Sequence, residues 1–153
     1  MEHDVFLNDI IIDFYVTYLF FSVLAQEDRP TVHVFSTMFF KRLATAPIKV
    51  SKCNSFEKDF TLNQAQKRHL RVKGWTKNVD LFEKDLIIIP ICEHSHWFLV
   101  IVIKPGLLRL EVEERQGEPF VLVLDSLGGS NSTAVSYVIE YLGQEWLSKV
   151  RLE

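Results

Sequence analysis

The clearest pattern in the chain is a pair of apolar runs, Leu86–Ile91 and Trp97–Ile103, separated by five residues that include His96. Each run has the length of a β-strand, so the pattern predicts a strand, a tight connection and a second strand. Because both runs are continuously apolar, we expect strands covered on both faces, with the connection at the rim of a buried sheet. A histidine at such a rim is well placed for chemistry.

A third apolar run, Phe120–Leu124, ends in Asp125 and is followed by the turn residues 126–129. If this strand lies beside the one that begins near His96, Asp125 can accept the proton on one imidazole nitrogen and fix the tautomer. The pattern therefore predicts a general base with its orienting acid. A nucleophile is the missing member.

The rest of the chain predicts helices joined by polar loops. Asn8 or Asp9 can cap a first helix, and the apolar stretch Ile10–Ala25 predicts that this helix is buried. Further elements are expected in an order that suits one α+β domain over residues 1–153. They are an extended segment at Val32–Phe35, a short helix capped by Ser36 or Thr37, a surface insertion at about 44–62, a helix at Gln64–Val72, a polar loop at about 104–119 and a helix at Asn131–Leu147.

Composition and charge narrow the function classes. The chain has 153 residues, 48% of them hydrophobic, and a formal net charge of -3, which gives no sign of a general nucleic-acid binder. Its two cysteines, Cys53 and Cys92, fit a reducing compartment and not a disulfide framework. Asp13 interrupts the one stretch that could be mistaken for a membrane span, so we expect no membrane segment.

Four separated motifs lie in a fixed order along the chain. They are Phe6-Leu7-Asn8-Asp9-Ile10-Ile11, Arg71-Val72-Lys73-Gly74-Trp75-Thr76-Lys77, His96-Trp97 and Asp125-Ser126-Leu127. Together they resemble the SUMO-specific (sentrin-specific) cysteine proteases of the ubiquitin-like protease family. The segments Ile12–Tyr15, Val34–Thr37, Phe39–Arg42 and Phe82–Asp85 are most similar to the branch that trims poly-SUMO chains.

The resemblance implies a papain-like cysteine protease fold and a deSUMOylating peptidase that needs no cofactor and no metal. It assigns the base to His96 and the orienting acid to Asp125. Phe6 and Trp97 are expected to clamp the diglycine tail of the modifier, although Phe6 can equally be a hydrophobic staple. Asp9 is either a helix cap or the partner of a basic residue of the modifier.

Trp75 lies beside a basic helix that can meet an acidic face of the modifier, but core packing is the more expected role for this side chain. SUMO or poly-SUMO conjugates are the expected partners, with neither nucleic acid nor membrane among them. The resemblance further implies a nuclear and possibly cytoplasmic location. It says nothing of the oligomeric state.

The chain departs from the family in one respect. The family's glutamine and Asp-Cys-Gly pattern does not occur before Glu153, so we expect a partial domain that is truncated before the nucleophile helix and inactive alone. Cys92 is a poor substitute, because it would share one connection with His96. Three functions stay open: a fragment of a SUMO protease, a non-catalytic module that binds SUMO or a similar protein, and a protease for another ubiquitin-like modifier.

Overall fold

The computed structural model describes residues 7–45, 62–110, 112–114 and 116–150. Two compact units make up the chain, one formed by residues 1–40 and 79–129 and the other by residues 41–78 and 130–153. That residues 1–153 form one domain stays a prediction. In the described ranges, no helix is both long enough and apolar enough to cross a membrane.

The first unit contains a four-stranded sheet in the order β1-β2-β3-β4. The strands are β1 (Val32–Val34), β2 (Leu86–Glu93), β3 (His96–Ile103) and β4 (Phe120–Leu124). β1 runs parallel to β2, and the other two pairs are antiparallel. The predicted strands are all present, and β2 extends two residues beyond its apolar run because the connection to β3 is only His94 and Ser95.

The two faces of this sheet are covered to different degrees. On one face, buried side chains alternate along β2 and β3, and they are Ile87, Ile89, Ile91, Phe98, Val100 and Val102. On the opposite face, Phe120, Leu122 and Leu124 of β4 are 54%, 40% and 49% exposed. Along the apolar runs of β2 and β3 the second face is half-buried, with Pro90 fully buried, so the expected cover on both faces is met there in part. It fails at β4, whose second face meets solvent.

The N-terminal helix α1 (Asp9–Tyr18) continues into a π-helical turn, Leu19–Val23. Asn8 is its cap, because the Asn8 side chain accepts a hydrogen bond from the Ile11 amide at 2.9 Å. Neither segment has a buried residue, and Ile10 and Phe14 are 75% and 71% exposed. The prediction of a buried helix is wrong, because only Ile12, Val16 and Phe20 of its apolar residues are half-covered and most of the others are exposed.

The second unit is helical in its described residues. It contains α3 (Gln64–Val72), a 3-10 turn at Lys73–Thr76 and α4 (Ser132–Val150). The bounds of α3 agree with the sequence prediction, because Asn63 and Gln66 form a reciprocal capping box at its start. The short helix α2 (Thr37–Ala44) includes the boundary between the two units.

The two predicted loops have different outcomes. α2 ends at Ala44, where the insertion was predicted to begin, and residues 46–61 lie outside the described residues. The polar loop after β3 contains two 3-10 turns, Pro105–Arg109 and Val112–Glu114. Gly106 allows the first turn to approach Phe82, because a Cβ at that position would lie 2.4 Å from the Phe82 carbonyl oxygen.

Candidate active site

His96 and Asp125 meet at one end of the sheet. His96 is the first residue of β3, and Asp125 directly follows β4. The pairing of Leu99 with Leu124 leaves Asp125 on the buried face, the same face as His96. The imidazole Nε2 lies 2.6 Å from the Asp125 carboxylate Oδ1. The two residues that the sequence predicted as a pair are therefore hydrogen-bonded.

The carboxylate of Asp125 is held in place by the turn that follows it. Its Oδ1 accepts a second hydrogen bond from the Leu127 amide at 2.8 Å, and its Oδ2 accepts one from the Gly129 amide at 3.2 Å. Gly128 has a φ of 66°, which a glycine adopts without strain. The Asp125 side chain is only 5% exposed. These contacts stabilise the charged carboxylate and fix the position of its oxygen atoms.

The connection before His96 is equally well defined. His94 and Ser95 both have positive φ values, 51° and 62°, as a two-residue turn of type I′ requires. This tight turn fixes the position at which His96 enters β3. With Nε2 donating its proton to Asp125, the other ring nitrogen, Nδ1, is left to accept a proton from a reactant. The His96 side chain is 28% exposed, so a reactant can reach it.

Of the three other residues near His96 or α1 that were predicted to contact the modifier, the structure describes Trp97 and Asp9. Trp97 donates a hydrogen bond from its indole Nε1 to the Leu7 carbonyl at 2.8 Å, which ties the segment before α1 to β3. Asp9 is exposed in the first turn of α1, where its one hydrogen bond to a described residue comes from the adjacent Ile10 amide at 3.0 Å. Phe6 lies outside the described residues. The roles of these three side chains in binding a modifier stay predictions.

Trp75 belongs to the helical unit, in the 3-10 turn that follows α3. Its side chain is 42% exposed, so the preference for core packing is wrong. The turn buries its neighbour Thr76 instead. Exposure makes Trp75 available for contact with another molecule without identifying that molecule.

Cys92 does not reach the reactive side of His96. In β2 it pairs directly with Trp97, whereas His96 pairs with Glu93. Because paired residues share a face and neighbours along a strand alternate, Cys92 and His96 lie on opposite faces of the sheet. The exposed Cys92 thiol therefore cannot serve as the partner of His96. No group of three or more histidine, cysteine or acidic side chains suitable for a metal ion occurs within the described ranges.

One neighbour of His96 was missed by the sequence analysis. Glu93 is its register partner and shares its face of the sheet, so the imidazole has one acidic residue on β2 and another, Asp125, directly after β4. A signal for this pairing was present, because a connection of only two residues would place Glu93 opposite His96. Because the polar segment Cys92–His96 interrupts the apolar runs, the apolar pattern alone leaves Glu93 outside the strand.

Comparison with known proteins extends this geometry. Residues 5–152 match the Ulp1 protease family, C-terminal catalytic domain. The chain is 45% identical over 108 residues to Sentrin-specific protease 6 of Mus musculus, covering 71% of this chain and 9% of that protein. It is 40% identical over 147 residues to Probable ubiquitin-like-specific protease 2A of Arabidopsis thaliana, covering 94% of this chain and 18% of that protein.

Two solved structures have a similar fold. A de-sumoylating protease superposes with a TM-score of 0.65 and 26% identity, and the match covers 94% of this chain and 48% of that one. The SUMO protease Ulp1, at 19% identity and a TM-score of 0.55, supports the fold alone and is covered to 51%. The predicted papain-like fold is confirmed. The chain spans about half of these solved structures and less than a fifth of the two curated relatives described above.

Proposed function

The chain belongs to the Ulp1 protease family, and we propose that it supplies the base and the orienting acid of a SUMO-specific cysteine protease. The observation that carries the proposal is the hydrogen bond of 2.6 Å between His96 and Asp125. A chain that kept the family's fold for another purpose would have no need of a buried carboxylate hydrogen-bonded to a partly exposed imidazole.

In this proposal His96 acts twice. Its Nδ1 first accepts the proton of a cysteine thiol, and the thiolate attacks the carbonyl carbon of the modifier's terminal glycine. The resulting imidazolium then donates that proton to the departing lysine amine, which leaves a thioester between the modifier and the enzyme. Water hydrolyses the thioester, which restores the thiol and releases the glycine carboxylate. Asp125 stabilises the imidazolium and keeps Nδ1 directed at the reactants.

The nucleophile in this proposal is the cysteine of the family's Asp-Cys-Gly pattern, which does not occur in residues 1–153. Cys92 is the free cysteine that the structure describes, and it lies on the wrong face of the sheet. A separate element must therefore bring the thiol to Nδ1 of His96. The family supplies such a thiol from its own helix, in the Asp-Cys-Gly pattern.

We propose SUMO, and poly-SUMO chains in particular, as the substrate. The support is the identity to Sentrin-specific protease 6, together with 39% identity over 114 residues to Sentrin-specific protease 7 of Homo sapiens, covering 74% of this chain and 10% of that protein. Trp97 and the segment that it binds at Leu7 are the proposed contacts for the diglycine tail. A nuclear location is proposed on the same relatives.

A second candidate is binding of SUMO without cleavage. The observation that favours it is the position of Cys92, since no thiol of the described residues faces His96. Cleavage and binding can be measured separately on the same protein. Each candidate therefore predicts a different result in one experiment.

The experiment uses protein expressed from the full reading frame of the transcript. It measures cleavage of a fluorogenic SUMO substrate and of poly-SUMO chains, with matched substrates of other ubiquitin-like modifiers. We expect SUMO cleavage, and we expect His96→Ala to lower kcat by about 10³-fold, the size of a lost general base. Asp125→Asn should lower kcat while KM changes little, because it acts through His96.

His94→Asn is the matched control. His94 lies on the same turn and is exposed, and asparagine tolerates its left-handed backbone, so activity should stay within about twofold. Binding of SUMO without cleavage would support the second candidate. Preference for another modifier would reject SUMO, and full activity of the His96 variant would reject the mechanism.

A further inference from the structure

Charge is divided unequally between the two units of the chain. The helical unit, residues 41–78 and 130–153, carries 12 of the 17 lysines and arginines but only five of the 20 acidic residues. Its formal charge is therefore +7, whereas the unit that contains His96 and Asp125 has a formal charge of -10. The net charge of -3 for the whole chain does not show this difference between the units. The positive charge of the helical unit favours anionic partners.

Within the helical unit, a groove runs between α4 and the segment formed by α3 and its 3-10 turn. Two cavities of about 160 and 400 Å³ make up the groove, and both are lined by Lys73 and Ser148. Gly74 borders the larger cavity, and a Cβ built there would meet no atom within 4 Å. The groove is therefore open at that point. None of its lining residues takes part in the proposed protease mechanism.

The larger cavity is rich in positive charge. Lys73, Lys77 and Lys149 line it, and Lys73 and Lys77 are exposed. No acidic side chain of the described residues lies within ion-pair distance of Lys73 or Lys77. The one acid in the lining, Glu145, is 3% exposed and already bonded to His69 and Thr76. Two lysine ammonium groups are thus available at the mouth of the cavity.

The smaller cavity has an apolar end formed by Leu62, Leu70 and Leu147. Leu70 and Leu147 are 41% and 47% exposed, although each lies on a helix whose other face is packed. An apolar side chain that entered here would remove both leucines from water. The lining of both cavities contains no phenylalanine, tyrosine or tryptophan, and the one imidazole in it, that of His69, is buried and bonded to Glu145, which disfavours single-stranded nucleic acid as the occupant.

We infer that this groove binds an acidic peptide segment of a partner protein. Aspartate or glutamate side chains of the segment pair with Lys73 and Lys77, and one aliphatic side chain packs between Leu62, Leu70 and Leu147. The combination of charge and an adjoining apolar end selects a peptide over a simple polyanion. The binding does not involve His96, Asp125 or a nucleophile.

The test is fluorescence anisotropy of a labelled ten-residue peptide of aspartate and glutamate with one central leucine, titrated with the full chain. We expect saturable binding that weakens as the salt concentration is raised, because ion pairs between exposed charges supply much of the binding free energy and salt screens them. The double variant Lys73→Gln/Lys77→Gln should weaken binding by about tenfold, which corresponds to the loss of two exposed ion pairs. Replacing the peptide's leucine with serine should weaken binding by several-fold.

Lys41→Gln/Arg42→Gln is the matched control, because it removes the same charge from two exposed residues of the same unit that do not line the groove. It should change binding less than twofold. An equal loss in both double variants would mean attraction to net charge only and would overturn the proposal. An unchanged affinity of the serine peptide, or no binding at all, would overturn it as well. Loss of protease activity has no bearing on these outcomes.

Discussion

The carboxylate of Asp13 in α1 accepts two hydrogen bonds from Thr37, the first residue of α2. The Thr37 amide donates to Oδ1 at 2.8 Å, and the Thr37 hydroxyl donates to Oδ2 at 2.9 Å. Asp13 thus caps a helix that begins 24 residues later, and it adds a negative charge where the helix dipole favours one. Asp13, the charged residue within the apolar run of α1, therefore stabilises the start of α2.

We predict that Asp13→Ala lowers the free energy of unfolding by about 1–2 kcal/mol, because the Thr37 amide loses its partner at a helix start. Urea denaturation measures this change. Asp9→Ala is the control, since Asp9 is exposed and, among the described residues, bonds the adjacent amide alone, and it should cost about 0.5 kcal/mol or less. Equal effects of the two variants would contradict a capping role for Asp13.

Glu145 in α4 lies at the centre of a buried polar cluster. His69 Nε2 is 2.7 Å from its Oε2, and the Thr76 hydroxyl donates to its Oε1 at 2.8 Å. Burial alone would raise the pKa of Glu145, but the hydrogen bonds from His69 and Thr76, with the charges of His69 and Lys149, outweigh burial and lower it. The same burial, with the charge of Glu145, raises the pKa of Tyr141 far above its usual range.

The lowered pKa of Glu145 predicts a loss of stability in acid. A carboxylate with a depressed folded pKa contributes stability that is present above its ordinary pKa of 4.5 and lost as the pH falls through the folded value. Thermal unfolding between pH 7 and pH 3 should show this loss, and Glu145→Gln should be less stable at pH 7 and less sensitive to acid. Glu140→Gln, at a more exposed ion pair with Arg68, is the control. An unchanged acid dependence in Glu145→Gln would contradict the assignment.

His33 in β1 predicts a pH effect nearer neutrality. Its pKa is lowered from 6.5, mainly by burial and further by the charge of Lys84. Because the unfolded chain binds the proton more readily, the contribution of neutral His33 to the free energy of unfolding is fully present above pH 6.5. It is lost as the pH falls toward the folded pKa of His33. His33→Gln should flatten the stability profile below pH 6.5.

The control for His33 is His94→Asn, which changes an exposed histidine in a turn. It should leave the profile unchanged. Lys84→Gln removes the smaller of the two causes and should shift the midpoint of the loss only slightly. If His33→Gln kept the full loss of stability, another group would have to be responsible.

The exposed face of β4 predicts self-association. Phe120, Leu122 and Leu124 form an apolar row on a strand whose one neighbour among the described residues is β3. Such a strand promotes contact between copies. Sedimentation velocity should show association that rises with concentration and decreases in Leu122→Thr. Leu127→Ser, at a 76% exposed residue outside the strand, should associate like the original chain. A chain that remained monomeric at all concentrations would refute this prediction.

The sequence by itself determined the elements whose causes are local. The bounds of α3 follow from its capping residues, and β4 coincides with the apolar run Phe120–Leu124. His96 and Asp125 were identifiable because each stands where an apolar run meets a turn. Family membership was also readable, since it depends on four ordered motifs and not on coordinates.

Only the tertiary structure decided which side chains share a face and which elements are covered. The register of β3 against its neighbours places Glu93 beside His96 and Cys92 on the opposite face, and a shift of one residue would reverse both. The buried pair of His69 and Glu145 joins residues 76 positions apart, which no local pattern connects. Hydrophobic periodicity shows that a segment can bury a face, as in α1, but whether it does depends on what packs against that face.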